Sequence, residues 1–263
     1  MFAVIRLRLL IALFIVPALA VLLAFAVFSP AAQANHSWGG YHWARTANPF
    51  TLNLGDNVSG PWDATLGITS TDWSKSTVLE TTIVPVQAGK KNCRPTVGRV
   101  EVCNAAYGNN GWLGIAQIWI SGKHITQGTT KVNDTYFNTA KYNTDAWRNL
   151  VMCQEVGHTF GLDHQDENFN NPNLGTCMDY TNDPSTNQHP NQHDYDQLAT
   201  IYSHLDSTTT VGTATQAPAA GQGNLNSRGA WGHKAKESRN GDLELWVRSL
   251  GNGNKLFTFV IRA

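Results

Sequence analysis

Gln154-Glu155-Val156-Gly157-His158-Thr159-Phe160-Gly161-Leu162-Asp163-His164 is the densest run of chemically capable side chains in the chain. Positions 154 and 158 are four apart, so on a helix they share a face, with Glu155 beside it. Trp147, Leu150, Val151, Gln154, His158 and Leu162 fall at helical spacing. That pattern predicts a helix starting at Thr144 or Asp145, either of which can cap it. Gly161 suits its exit, where positive φ is often needed. Beyond that turn His164 can swing back toward His158. Two imidazoles, a third group and a carboxylate then converge on one point. A hydrolytic zinc needs that set: a few protein ligands, an open position for water, and a base for the water's proton.

Upstream of this helix the chain reads as strand, helix and further strands. Residues 50–54 alternate apolar and polar, as a half-buried strand does. Residues 62–76 read as a helix with Trp62, Leu66 and Trp73 toward a core, and residues 78–86 and 97–102 as strands. Residues 113–120 and 125–137 are the remaining strand regions. Downstream come a Pro/Asn/Gly-rich loop, Cys177-Met178-Asp179-Tyr180, and a second helix pattern over 191–205 with Tyr195, Leu198, Ile201 and Tyr202 on one face. Residues 207–224 have linker composition. Two strand-like runs, 243–250 and 255–261, flank Gly251-Asn252-Gly253-Asn254, a hairpin signal. Trp231, Trp246 and Phe257 in that last segment suit either a neighbouring core or a bound polymer.

The chain has 263 residues with 19 basic and 19 acidic side chains and 41% apolar residues. It is too apolar for disorder throughout and lacks the basic runs of a nucleic-acid binder. Residues 1–34 hold only Arg6 and Arg8 as charges, then an apolar run over 9–28, then Ala32-Gln33-Ala34. This is the pattern of a secretory signal cleaved after Ala34, an uncleaved membrane anchor being the alternative. Residues 35–263 would then be a secreted chain, expected to be monomeric and without stable membrane association. The expected divisions are 1–34 signal peptide, 35–206 main domain, 207–224 linker and 225–263 hairpin segment. Export permits disulfides. Of the three pairings open to four cysteines, Cys93–Cys103 and Cys153–Cys177 are expected.

The segment 154–164 resembles the long zinc motif H-E-x-x-H-x-x-G-x-x-H of the metzincin metalloendopeptidases, matrixins being the nearest relatives. The likeness covers residues 48–205. It implies an α+β fold: a twisted mixed sheet, an active-site helix, a Met-turn and a C-terminal helix, to which the hairpin segment is added. It implies His158 and His164 as zinc ligands, Glu155 as general base, Gly161 as the turn glycine and Met178 as the Met-turn residue beneath the metal. Tyr180 has the spacing of the Met-turn tyrosine of astacin-like and serralysin-like members. The implied activity is peptide-bond hydrolysis in extended protein or peptide substrates, laid along an edge strand at 114–120. One departure stands out: Gln154 occupies the first ligand position. Either Gln154 ligates zinc through its amide oxygen, or water or Tyr180 fills the place, or no metal binds and the chain is an inactive, metzincin-shaped binding protein. Calcium is a second candidate ion, but no D-x-[DN]-x-[DN]-G loop supports it. Residues 35–49 hold no cysteine, so latency through a cysteine–zinc bond is not expected.

Overall fold

The structure is a computed structural model and describes residues 35–85, 92–212, 225–238 and 243–263. Strand β1 (His42–Trp43) is followed by β2 (Phe50–Asn57), which buries Phe50, Leu52 and Leu54 and turns Thr51 outward. Helix α1 (Pro61–Trp73) crosses from β2 to the parallel strand β3 (Leu79–Val84). Pro61 starts it, where a missing N–H costs nothing, and Trp62, Leu66 and Trp73 are all buried. β4 (Val100–Ala105) and β6 (His124–Asn133) extend the parallel half, while β5 (Trp112–Ser121) runs antiparallel to β6. Asn133 ends β6 and caps a short helix, α2 (Asp134–Phe137), so the strand expected over 125–137 is a strand and then a helix.

Next come α3 (Asp145–His158) and α4 (Gln192–Ile201). Asn191 and Asp194 close a capping box on α4, and the helix stops before Leu205, which is exposed. Apolar side chains of α1, α3 and α4 share one core with Leu52, Leu54, Val100, Val102 and Ile118 of the sheet. Cys93–Cys103 and Cys153–Cys177 form the two expected disulfides. No helix among the described residues is long and apolar enough to cross a membrane. The expected signal peptide lies outside the described residues.

The C-terminal segment holds β7 (His233–Glu237), β8 (Leu243–Gly251) and β9 (Asn254–Arg262). The sequence reading missed β7, whose residues HKAKE are all exposed and carry no apolar alternation. The hairpin extends the main sheet, because β9 pairs antiparallel along all of β5, from Trp112 to Ser121. The result is an α+β architecture around a mixed sheet, nine-stranded among the described residues, in the order β3-β2-β4-β6-β5-β9-β8-β7, with β1 beside β6. Residues 114–120 are therefore not an edge, contrary to expectation. β5 is buried on both faces, and unpaired N–H and C=O groups of such a strand need partners. Trp231 and Phe257 are buried, so their role is packing. Of the expected linker, Thr210 and Gly212 hydrogen-bond to Ala44 and Gly98, and residues 213–224 lie outside the described residues.

The sheet's other face buries Lys131, whose ammonium donates to Gln117 Oε1 (3.2 Å) and Asn226 Oδ1 (2.8 Å). Burial lowers its pKa from 10.5 to about 7. Between those values the unfolded chain binds the extra proton, so stability falls as the pH drops toward 7. Lys131→Met should remove a slope of about 1.4 kcal/mol per pH unit between roughly pH 7 and 9, measured by urea unfolding at several pH values.

Candidate active site

Helix α3 begins at Thr144, whose hydroxyl accepts from Trp147 N–H (3.2 Å), and every residue from Arg148 to His158 is buried. Such complete burial requires close neighbours on all sides. A Cβ on Gly114 of β5 would stand 2.7 Å from Val151 Cγ1 and 2.9 Å from Glu155 Cγ. A Cβ on Gly157 would stand 2.7 Å from both Met178 Sδ and a Trp73 ring carbon. The helix thus rests directly on the strand on one side and on the Met178 turn on another. Gly161 leaves it at φ +100°, and a side chain there would strike Tyr41 O. Cys153–Cys177 ties α3 to the same turn.

The structure brings the two motif histidines together. The rings of His158 and His164 are 4.4 Å apart at 74°. His158 Nδ1 lies 2.8 Å from Leu162 O, so Nδ1–H donates there and Nε2 is the nitrogen left for a ligand. Burial lowers the pKa of His158 well below its ordinary value, which keeps the ring neutral. His164 Nε2 meets the Tyr180 hydroxyl at 2.9 Å. Its Nδ1 faces Asp163 Oδ1 at 3.3 Å and Glu167 Oε1 at 3.7 Å.

Gln154 and Glu155 are each 1% exposed. Gln154 Nε2 donates to Cys177 O (2.9 Å), while Oε1 is buried without a hydrogen-bond partner. The Glu155 carboxyl accepts N–H groups from Ala116 of β5 and Ile261 of β9, yet its Oε2 has no hydrogen-bond partner. Burial raises the pKa of Glu155 well above the ordinary carboxyl value, against the pull of those two donors. Buried acceptors left unanswered are costly. The donor set is two imidazoles, an orphaned amide oxygen and a carboxyl group. These are donor types that a divalent metal accepts.

Several contributors were not read from the sequence. Phe259 of β9 stacks on His158, with centroids 4.3 Å apart and planes 12° apart. Phe169 lies against Tyr180. Lys236 of β7 pairs with Glu167 Oε1 (2.6 Å) and Asp163 Oδ2 (3.5 Å). Burial favours a neutral Asp163, but hydrogen bonding to His164 and the charges of His164 and Lys236 outweigh it and hold the carboxyl low. Hydrogen bonding to His164, then to Lys236, lowers Glu167 despite burial. Both carboxylates are already paired with Lys236. His36 is a buried neighbour whose pKa burial lowers and whose charge in turn contributes to lowering His158. No sequence motif marks any of these residues.

No protein-family model matches the sequence, and no curated protein does. Among solved structures the chain is similar to one titled "Crystal structure of myroilysin", with 12% identity and a TM-score of 0.32, over 66% of this chain and 97% of that one. A likeness of that extent carries nothing over to this site.

Gly114→Ala should destabilise the protein by about 1–3 kcal/mol, because the new methyl overpacks Val151 and Glu155. Gly67→Ala, in α1 with open space at its Cβ, should instead stabilise by about 0.5–1 kcal/mol. Chemical denaturation of both variants against the parent measures the contrast.

Proposed function

We propose that the chain is an exported zinc-dependent endopeptidase held in a closed state by its own C-terminal strand. The observation that carries this reading is the path of β9. It runs antiparallel along β5, sets Phe259 on His158 and directs the Ile261 N–H to Glu155. An extended peptide added to a sheet edge is a common mode of substrate recognition. Here the chain supplies such a peptide itself, across the motif residues. The two disulfides agree with an oxidising compartment.

In this reading His158, His164 and Gln154 Oε1 hold the zinc. Bound there, zinc would polarise the scissile carbonyl and lower the pKa of a coordinated water. Glu155 takes the water's proton and hands it to the leaving amine. In the closed state its carboxyl is kept from ionising by burial, and departure of β9 lets solvent reach it. Tyr180 guards His164 Nε2 while the site is closed, and its release frees that nitrogen. Met178 supports the helix from below through Gly157.

A second reading has its own observation. Phe257, Phe259 and Ile261 belong to the main hydrophobic core, so β9 is well anchored. A chain that never opens would be a metzincin-shaped binding protein rather than an enzyme.

Zinc content by mass spectrometry and cleavage of a quenched peptide distinguish the two. Phe259→Ala removes the ring from His158 and should raise turnover at least about tenfold, since truncating a core Phe costs about 3–5 kcal/mol and weakens closure. Glu155→Gln in that background should lose about 10²–10⁴-fold in turnover with zinc retained. A Phe259→Ala protein that is folded, zinc-loaded and inactive would favour the binding protein.

A further inference from the structure

A second cluster of metal-ligating side chains lies in the same fold and shares no residue with the motif. β1 pairs with β6 in parallel register, His42 opposite His124. The chain leaving α4 brings His204 and Asp206 to the same place, where Asp206 N–H donates to Arg45 O (2.9 Å). Asp206 Oδ1 stands 3.5 Å from His42 Nε2, 3.2 Å from His124 Nε2 and 3.8 Å from His204 Nε2. His42 Nε2 and His204 Nε2 are 3.2 Å apart. Ligand atoms of a tetrahedral zinc, with bonds of about 2.0–2.1 Å, are separated by about 3.3 Å. These separations scatter around that edge length.

Backbone and arginine contacts orient the donors. His42 Nδ1 lies 2.9 Å from Gly40 O, so Nδ1–H donates to that carbonyl and the Nε2 lone pair faces the cluster. Asp206 Oδ2 accepts from Arg45 Nη1 (2.8 Å) and Arg45 N–H (3.2 Å), which leaves Oδ1 turned to the imidazoles. Arg45 Nη2 also donates to His204 O, holding the backbone that carries the third ring. Arg45 is buried and answers half of the carboxylate, while its other oxygen faces three ring nitrogens.

We propose that His42, His124, His204 and Asp206 bind a divalent transition metal, zinc by ligand type, as a structural site. Three imidazoles and one carboxylate suit zinc, whereas calcium and magnesium require mostly oxygen donors. His42, His124 and Asp206 offer ligand atoms that all lie within 4.8 Å of one another, and with His204 as the fourth ligand the ion would be closed to water, so the site clips segments together. It joins β1, the start of β6 and the chain after α4. The half-exposed rings of His124 and His204 give the ion an approach from solvent.

The test compares the parent with His124→Ala/His204→Ala, two of the more exposed ligands. Each protein is stripped with chelator, reloaded with zinc, desalted and assayed for zinc per chain. The parent should hold one more zinc than the double variant, and zinc should raise the melting temperature of the parent more. Co2+ loading should give the intense visible bands of four-coordinate cobalt in the parent, reduced in the variant. The readout is a difference, so it stands whether or not His158 and His164 hold an ion. Equal zinc content in folded parent and variant would mean a plain hydrogen-bond network and overturn the proposal. Should the double variant fail to fold, anomalous diffraction at the zinc edge from parent crystals decides. A peak amid the four atoms supports the site, and its absence overturns it.

Discussion

Helix α3 carries Gln154, Glu155 and His158 through the interior with almost no exposure, and the rest of the structure is arranged around that constraint. Polar and ionisable groups can be buried only if their atoms find partners. Leu162 O, Cys177 O and the N–H groups of Ala116 and Ile261 meet most of these needs. Each of these partners comes from a different segment. The helix must approach all of them closely, which is why Gly114 and Gly157 bear no side chain where it touches the strand and the Met178 turn. Gln154 Oε1 and Glu155 Oε2 are the acceptors left over.

The C-terminal strands serve two ends with one set of contacts. β9 satisfies the backbone of β5 and delivers Phe257 and Phe259 to the core. The same strand covers His158 and contributes an N–H to Glu155. On the far side Lys236 of β7 neutralises Asp163 and Glu167, the carboxylates facing His164. Stability and occlusion of the motif are therefore coupled, because any motion that uncovers the histidines also exposes apolar surface and a sheet edge.

Much of this was legible in local pattern. The helical spacing through residues 147–162 gave α3, and the glycine at 161 marked its exit. Alternation gave the buried face of β2, and the residues between Leu243 and Ile261 gave the hairpin. What escaped was partnership. Nothing in residues 114–120 says whether their open edge meets a substrate or another part of the chain. The sequence HKAKE has too little apolar character to look like a strand, and it becomes one only because β8 lies beside it.

The sequence alone determined the motif and most of the elements, β7 and α2 excepted, because helix and strand periodicity and the 154–164 spacing depend on residues within a turn or two of one another. Tertiary structure alone decided that β9 would close over His158, and that His42, His124, His204 and Asp206 would meet. Those contacts join segments far apart in the chain, chosen by which surfaces bury each other and which backbone groups need pairing. Free energies of that kind belong to the folded whole, and no short window of residues records them.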